Sequence, residues 1–176
     1  MLKEGYTQVY TGDGKGKTTA AIGLAFRAAG DGMKVNIIQF LKAWKTGELE
    51  SIGKIDNIDL FRFQTTTKFT WDLNQEELVE YTKETREAYF FTLKCLEERN
   101  CDILILDEIM GAFHGGFITE EEIVNIIDIK PKNMELVLTG RNAPKRVIDK
   151  ADLVTEMKPI KHYMDKGINA RLGIEF

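Results

Sequence analysis

Two stretches of the chain carry side chains whose type and spacing suit the handling of a nucleoside triphosphate. The first reads Val9-Tyr10-Thr11-Gly12-Asp13-Gly14-Lys15-Gly16-Lys17-Thr18-Thr19. Its glycines let successive backbone N–H groups turn inward around an anion. A helix opening at Lys17 adds about half a positive charge at the same point. Lys17 can reach phosphate oxygens, and the Thr18 hydroxyl can ligate a Mg²⁺ bound to them. The strict pattern wants glycine where this chain has Thr11, so the loop is a Walker A variant with its early glycines at Gly12 and Gly14. The second stretch, Ile103-Leu104-Ile105-Leu106-Asp107-Glu108, is an apolar strand ending in two carboxylates, which brings negative charge to the metal. Together they predict a triphosphate bound with a divalent cation.

No obvious acid–base or covalent apparatus accompanies them. The two histidines, His114 and His162, belong to no metal-binding HxxxH or HExxH pattern. Cys95 and Cys101 form no CxxC or zinc spacing, and read as small buried hydrophobes in a reducing cytosol. Either Asp107 or Glu108 positions water or a hydroxyl, or the nucleophile arrives on a second substrate that needs no base.

The elements that must position these residues follow from periodicity. Short apolar runs at 8–10, 35–40, 59–63, 102–106, 135–139 and 152–156 alternate with helical periods at 17–29, 75–99, 120–128 and 144–150. That alternation predicts an α/β fold with a mostly parallel sheet flanked by helices. Asn74 before Gln75-Glu76-Glu77 and Thr119 before Glu120-Glu121-Glu122 each read as an N-cap with a carboxylate three residues on. Pro144 suits a first helical turn. Residues 41–58 and 64–74 are long connections rich in Gly, Thr, Lys and aromatics. They leave the carboxyl ends of their strands, where open α/β sheets bind ligands.

Length and charge bound what remains. A chain of 176 residues suits one domain, here 1–176, that buries a full core without disulfide or metal. The net charge of −4 argues against a nucleic-acid partner and no apolar run is long enough to span a bilayer. With no apolar signal segment at the start, the expected location is the cytoplasm.

Nearly end to end, the chain resembles the P-loop ATP:cob(I)alamin (corrinoid) adenosyltransferases of cobalamin biosynthesis and salvage. The resemblance is carried by the phosphate loop from Tyr10 to Thr19, Gln39-Phe40-Leu41-Lys42, Phe69-Thr70-Trp71 and Leu106-Asp107-Glu108. Leu138-Thr139-Gly140-Arg141, Ala151-Asp152-Leu153-Val154-Thr155-Glu156 and the ending through Gly173-Ile174-Glu175-Phe176 add to it. Phe-Thr-Trp and Gly-Ile-Glu-Phe are its most particular parts. It implies a RecA-like P-loop fold, usually homodimeric, that moves the 5′-deoxyadenosyl group of ATP to reduced cobalt and releases tripolyphosphate. A flavoprotein typically supplies the electron.

Carried over by residue, Gly12, Asp13, Gly14, Lys15, Gly16, Lys17, Thr18 and Thr19 hold the phosphates. Thr18, Asp107 and Glu108 hold Mg²⁺ or Mn²⁺, with Glu108 the preferred ligand. Lys17, Thr18 and Glu108 are the expected catalytic residues. Arg27 matches an arginine that contacts the nucleotide. Phe69 and Trp71 face the corrinoid, where an apolar wall displaces the lower axial nitrogen and eases reduction. Asp13 stands where Asn is commoner. Only about six residues precede the first strand, so the 64–74 loop is expected to cover the site. The nucleotide motifs alone also fit a P-loop kinase or ATPase, or a nucleotide-gated RecA-like module acting on nucleic acid.

Overall fold

A computed structural model describes residues 2–175 of the chain. Phe176, the last residue of the Gly-Ile-Glu-Phe ending, lies outside the described residues. Six strands form one all-parallel sheet: β1 (Thr7–Thr11), β2 (Val35–Gln39), β3 (Ile58–Arg62), β4 (Ile103–Asp107), β5 (Glu135–Thr139) and β6 (Leu153–Glu156). Their spatial order is β3-β2-β4-β5-β1-β6. Six helices connect or flank them: α1 (Lys17–Gly30), α2 (Gly47–Ile52), α3 (Gln75–Glu98), α4 (Ile109–His114), α5 (Glu120–Ile129) and α6 (Lys145–Lys150).

Each expected strand and helix is present. Both capping boxes form, with Asn74 accepting from the Glu77 amide and Thr119 from the Glu122 amide. Three details differ from the sequence reading. The 41–58 connection contains α2, a helix with Glu48 and Glu50 in its first turn, where the dipole favours acids. The six-residue α4 follows directly on β4. At six residues each they give little periodicity, and neither is marked by a proline start as the equally short α6 is by Pro144. The third is β6, which lies exposed along its whole length at one edge of the sheet.

Period-two alternation sorts the strand side chains into two cores. Val35, Ile37, Ile58, Ile103, Ile105 and Val137 pack with Ala21, Ala25 and Ala28 of α1. Val9, Ile38, Leu104, Leu106, Leu136 and Leu138 face the opposite layer, with Ala88 and Leu96 of α3, Ala112 of α4 and Ile123 and Ile126 of α5. The alternation has a consequence at the carboxyl ends. The rows Val35-Ile37, Ile58-Leu60, Ile103-Ile105 and Val137 continue, on the α1 side, into Gln39, Arg62, Asp107 and Thr139. Register places Gln39 opposite both Arg62 and Asp107, and pairs Leu106 with Leu138 just before Asp107 and Thr139. One polar row therefore crosses four adjacent strands.

Leu104 is fully buried in the central strand of the larger core. Leu104→Ala should lower unfolding stability by about 3 kcal/mol through lost transfer energy and a residual cavity. Urea titration at neutral pH checks this.

Candidate functional site

β1 runs into the phosphate loop, and the loop runs into α1 with Gly16 at a left-handed φ of 119°. Gly12 (φ 97°) and Gly14 are required by a close approach as well as by backbone freedom. A Cβ on either would sit 2.5 Å or 2.7 Å from the carbonyl oxygen of Met157. The Gly14 amide donates to that same oxygen at 2.7 Å, and the Met157 amide donates to Thr11 O at 2.8 Å. The segment after β6 is thus laid across the outside of the loop.

That segment reaches further. Lys15 Nζ donates to Glu175 at 2.9 Å, to the Ile174 carbonyl at 3.0 Å and to Tyr163 at 3.2 Å. Arg171, Tyr163 and Lys15 all bond Glu175 and hold its carboxyl well below the usual carboxylate range. The side chain of Lys15 is therefore held on the C-terminal segment rather than turned into the loop. Asp13 is exposed.

Lys17 does turn inward. Its ammonium donates to the carbonyls of Gly12 and Gly14 at 2.7 and 2.8 Å. Burial pushes its pKa down, and the nearby charge of Arg141 pushes it further. Two cations therefore converge on a loop built to bind anions, an arrangement that a polyphosphate relieves.

Asp107 ends β4 and is 1% exposed. Its Oδ1 accepts from Thr18 at 2.8 Å and from Thr139 at 2.7 Å. Its Oδ2 accepts from Gln39 at 3.0 Å and from Lys42 at 2.7 Å. Burial alone would raise its pKa, but the Lys42 ammonium and the hydroxyl donors outweigh that and hold it below the usual value. Thr139 also accepts from the Glu108 amide at 2.9 Å, which ties β5 to the start of α4.

Glu108 differs from its neighbour. It adopts a left-handed backbone (φ 63°), a conformation that costs a non-glycine residue roughly 1 kcal/mol or more. Its half-buried side chain has no hydrogen-bond partner among the described residues. Gly111 leaves room for it, since a Cβ there would lie 2.7 Å from Glu108 Oε1. Burial first, and the Asp107 charge second, raise the Glu108 pKa.

This donor set fits a phosphate-bound divalent cation. Asp107 has its lone pairs occupied and suits an orienting role behind Thr18, whereas Glu108 presents an uncommitted carboxylate. No cluster of three or more His, Cys, Asp or Glu that could hold a metal ion alone occurs among the described residues.

Not every expected residue joins the site. Arg27 lies in the last turn of α1, and ten helical residues from Lys17 span about 15 Å. It lines a cavity of about 560 Å³ with Gln8, Ile103 and Glu135, at the amino ends of the strands and away from the phosphate loop. Phe69 and Trp71 stack at 4.6 Å, nearly parallel, and are 47% and 76% exposed. Cys95 and Cys101 are buried free thiols, and burial pushes Cys101 up to about 12. His114 bonds the Asn142 carbonyl and His162 accepts from the Met164 amide.

Sequence reading passed over Gln39, Lys42, Thr139 and Arg141 as individuals, although all four fall within stretches that carry the resemblance. Their signal was position, since each sits at or just past the carboxyl end of β2 or β5.

Solved structures with a similar fold include a KaiC-like protein from Pyrococcus horikoshii OT3, with TM-score 0.52, 15% identity and 88% of this chain matched to 74% of that one. The RadB recombinase gives TM-score 0.51 and 16% identity over 89% and 76% of the two chains. The fold is a RecA-like P-loop nucleotide-binding fold. Residues 3–176 match the family model for ATP:corrinoid adenosyltransferase BtuR/CobO/CobP. The chain belongs to this family. A corrinoid adenosyltransferase from Escherichia coli K12 is 36% identical over 99% of this chain and 87% of its own length. One from Sinorhizobium is 37% identical over 99% and 81%.

Two outcomes follow from the carboxylates. Removing Lys42 leaves Asp107 charged and short of a donor, so Lys42→Met should destabilise the protein by about 2 to 3 kcal/mol at pH 7. Because the Asp107 pKa is depressed on folding, its contribution is present above the unfolded value near 4 and is lost as pH falls through the folded one. The gap between wild type and Lys42→Met in chemical denaturation should therefore narrow toward pH 3. Glu108 has the opposite sign, since a raised carboxyl pKa costs stability once pH exceeds the unfolded value. Glu108→Gln should raise the thermal midpoint of the metal-free protein at pH 7, by about 1 kcal/mol of stability, and a lowered midpoint would contradict it.

Proposed function

The chain is a corrinoid adenosyltransferase, and we propose the following division of labour for its residues. The cobalt of the reduced corrinoid attacks C5′ of ATP with its own electron pair. A Co–C bond forms, the C5′–O bond breaks, and tripolyphosphate leaves with the bonding electrons. Such a nucleophile carries no proton to remove, so the reaction asks no side chain to act as a base.

The work left to the protein is placement and charge. The amides of residues 12–19 cradle the phosphates, while Lys17 exchanges its two loop carbonyls for phosphate oxygens as the leaving group gains charge. Arg141 supplies the second cation. Thr18 and Glu108 would hold Mg²⁺ or Mn²⁺, which would neutralise the triphosphate, and Asp107 fixes the Thr18 hydroxyl. Phe69 and Trp71 form an apolar platform for the corrin face. A flavoprotein donor for the cobalt, a homodimer, and residues 1–176 working as one unit complete the reading and rest on the family resemblance. The single observation that carries the residue assignments is the meeting at one glycine-rich loop of Lys17, on the Gly12 and Gly14 carbonyls, with Thr18 bonded to the buried Asp107.

The competing reading, a P-loop kinase or ATPase, gives different products. Protein, ATP, Mg²⁺ and chemically reduced cobalamin should yield a light-sensitive Co–C product and intact tripolyphosphate. ADP with inorganic phosphate in the absence of corrinoid would favour the alternative. Lys17→Ala should lower transfer at least about 1000-fold, and Glu108→Gln should lose most activity despite its added stability. Near-normal turnover in the lysine variant would refute the phosphate role.

A further inference from the structure

The polar row that serves Asp107 does not stop at the metal end of the site. Gln39 donates to Asp107 and accepts from Arg62 Nε at 2.6 Å. Arg62 is only 12% exposed on its side chain, and the rest of its fork turns away from the sheet onto the 41–47 connection. One terminal nitrogen donates to the backbone carbonyl of Trp44 and the other to Thr46 Oγ1 at 2.7 Å, with Glu48 at 3.7 Å. The same connection is tied at its start by Lys42, two residues before Trp44, to Asp107 Oδ2. Trp44 is thus held through its own carbonyl by Arg62, and the chain two residues before it is held by Lys42 to Asp107.

Its side chain then crosses to the other long connection. The indole N–H donates to the Thr67 carbonyl at 2.6 Å, and the ring meets Phe69 edge-on at 4.8 Å and 74°. Phe69 in turn stacks on Trp71. Trp44 remains 42% exposed. Three large aromatic rings thus pack chiefly on one another at the carboxyl edge of the sheet and leave apolar faces in water. Isolated exposed aromatics are ordinary, but a contiguous cluster joined by hydrogen bonds to a buried carboxylate calls for a flat, apolar partner.

We propose that Trp44 is the third member of the corrinoid-facing platform, and that Arg62 is the positioning residue that sets it by tying its backbone to the Gln39–Asp107 row. This rests on the reading of Phe69 and Trp71 as the corrinoid side. The occupant is the corrin macrocycle, which offers an apolar surface to the exposed ring faces of the cluster and whose cobalt must reach C5′ of a nucleotide held a short hydrogen-bonded path away. Arginine is required because a planar fork reaches Gln39, the Trp44 carbonyl and Thr46 at once, which a single ammonium cannot do.

The test uses the full-length protein with ATP, Mg²⁺ and chemically reduced cobalamin. Trp44→Ala alters an exposed side chain and should fold. It should raise KM for cobalamin about tenfold, the scale of one lost aromatic contact, with KM for ATP within about twofold of wild type. Trp44→Phe should restore most of the loss. The fraction of bound Co(II)-cobalamin with its lower nitrogen displaced, read from its absorption spectrum, should fall in Trp44→Ala and recover in Trp44→Phe. Arg62→Met should move the cobalamin KM in the same direction, and Arg62→Lys should not rescue it. In the Trp44→Ala/Arg62→Met pair the penalty should be no larger than that of Trp44→Ala alone, because the arginine acts through the tryptophan.

An unchanged cobalamin KM and unchanged spectrum in Trp44→Ala would overturn the proposal. So would equal losses for ATP and cobalamin in Arg62→Met with full additivity in the pair, the pattern of a residue that merely supports the fold. Should Arg62→Met fail to fold, the two Trp44 variants decide the matter. A wild-type protein that neither transfers adenosyl nor perturbs bound cobalamin would instead defeat the underlying corrinoid reading.

Discussion

A carboxylate withdrawn from water has to be satisfied on every side, and the arrangement around Asp107 follows from that demand. An unpaired charge at its depth costs several kcal/mol, so the residue survives only with complementary donors at fixed positions. Here Thr18, Thr139, Gln39 and Lys42 supply them. They come from the start of α1, from β5, from β2 and from the connection after β2. The strand order is what makes this meeting feasible. With β5 inserted between β1 and β4, Thr139 stands between the phosphate loop and the acidic strand end. With β2 on the other flank, Gln39 is in direct register with Asp107. The buried acid therefore links the sheet's topology to the geometry of the anion site.

The cations obey the complementary rule. Lys17 sits on two carbonyls of its own loop, and its depressed pKa records both burial and the push of Arg141. A triphosphate that displaced those carbonyls would relieve both costs, so nucleotide binding and charge balance favour the same structure. The glycines answer two demands at once. They free backbone amides for the anion, and they let Met157 cross the loop closer than any Cβ would allow. Glu108 is the exception. It is strained at its backbone, half-buried, and lacks the hydrogen-bond partners that Asp107 collects, the features on which its proposed role as a metal ligand rests.

Much of this was legible in the residues alone. The six apolar runs, the two capping boxes and the phosphate loop each carry strong local signals, and the structure has all of them where periodicity places them. The polar row was harder to see. Gln39, Arg62, Asp107 and Thr139 each occupy the fifth position of a five-residue strand, on the face already set by the first and third. Only Asp107 announces itself, because an acid after four aliphatics is conspicuous. The others become meaningful once strand order and register are known, and neither is encoded locally. Arg27 shows the converse. Its spacing from Lys17 already implies about 15 Å along a helix, so it stands at the far end of α1 from the phosphate loop. The six-residue α2 and α4 carry little periodicity and no proline start of the kind that marks the equally short α6.

On the proposed assignment of Phe69, Trp71 and Trp44 to the corrinoid, the same row would let one small sheet serve two chemically opposite ligands. A polyphosphate needs cations, amides and a metal, whereas a corrin face needs dry aromatic surface, and these environments would spoil each other if they merged. Gln39 and Arg62 provide the spacer, since they carry hydrogen bonding outward from Asp107 while presenting no net negative charge toward the aromatic loops. Beyond Arg62 the contacts change in kind, from charge-assisted bonds to ring edges and faces. A transfer reaction whose nucleophile brings its own electron pair needs this separation more than it needs an acid or a base. Two dissimilar reactants must be held at a fixed distance, and a rigid polar row anchored on a buried carboxylate is a physical means of setting it.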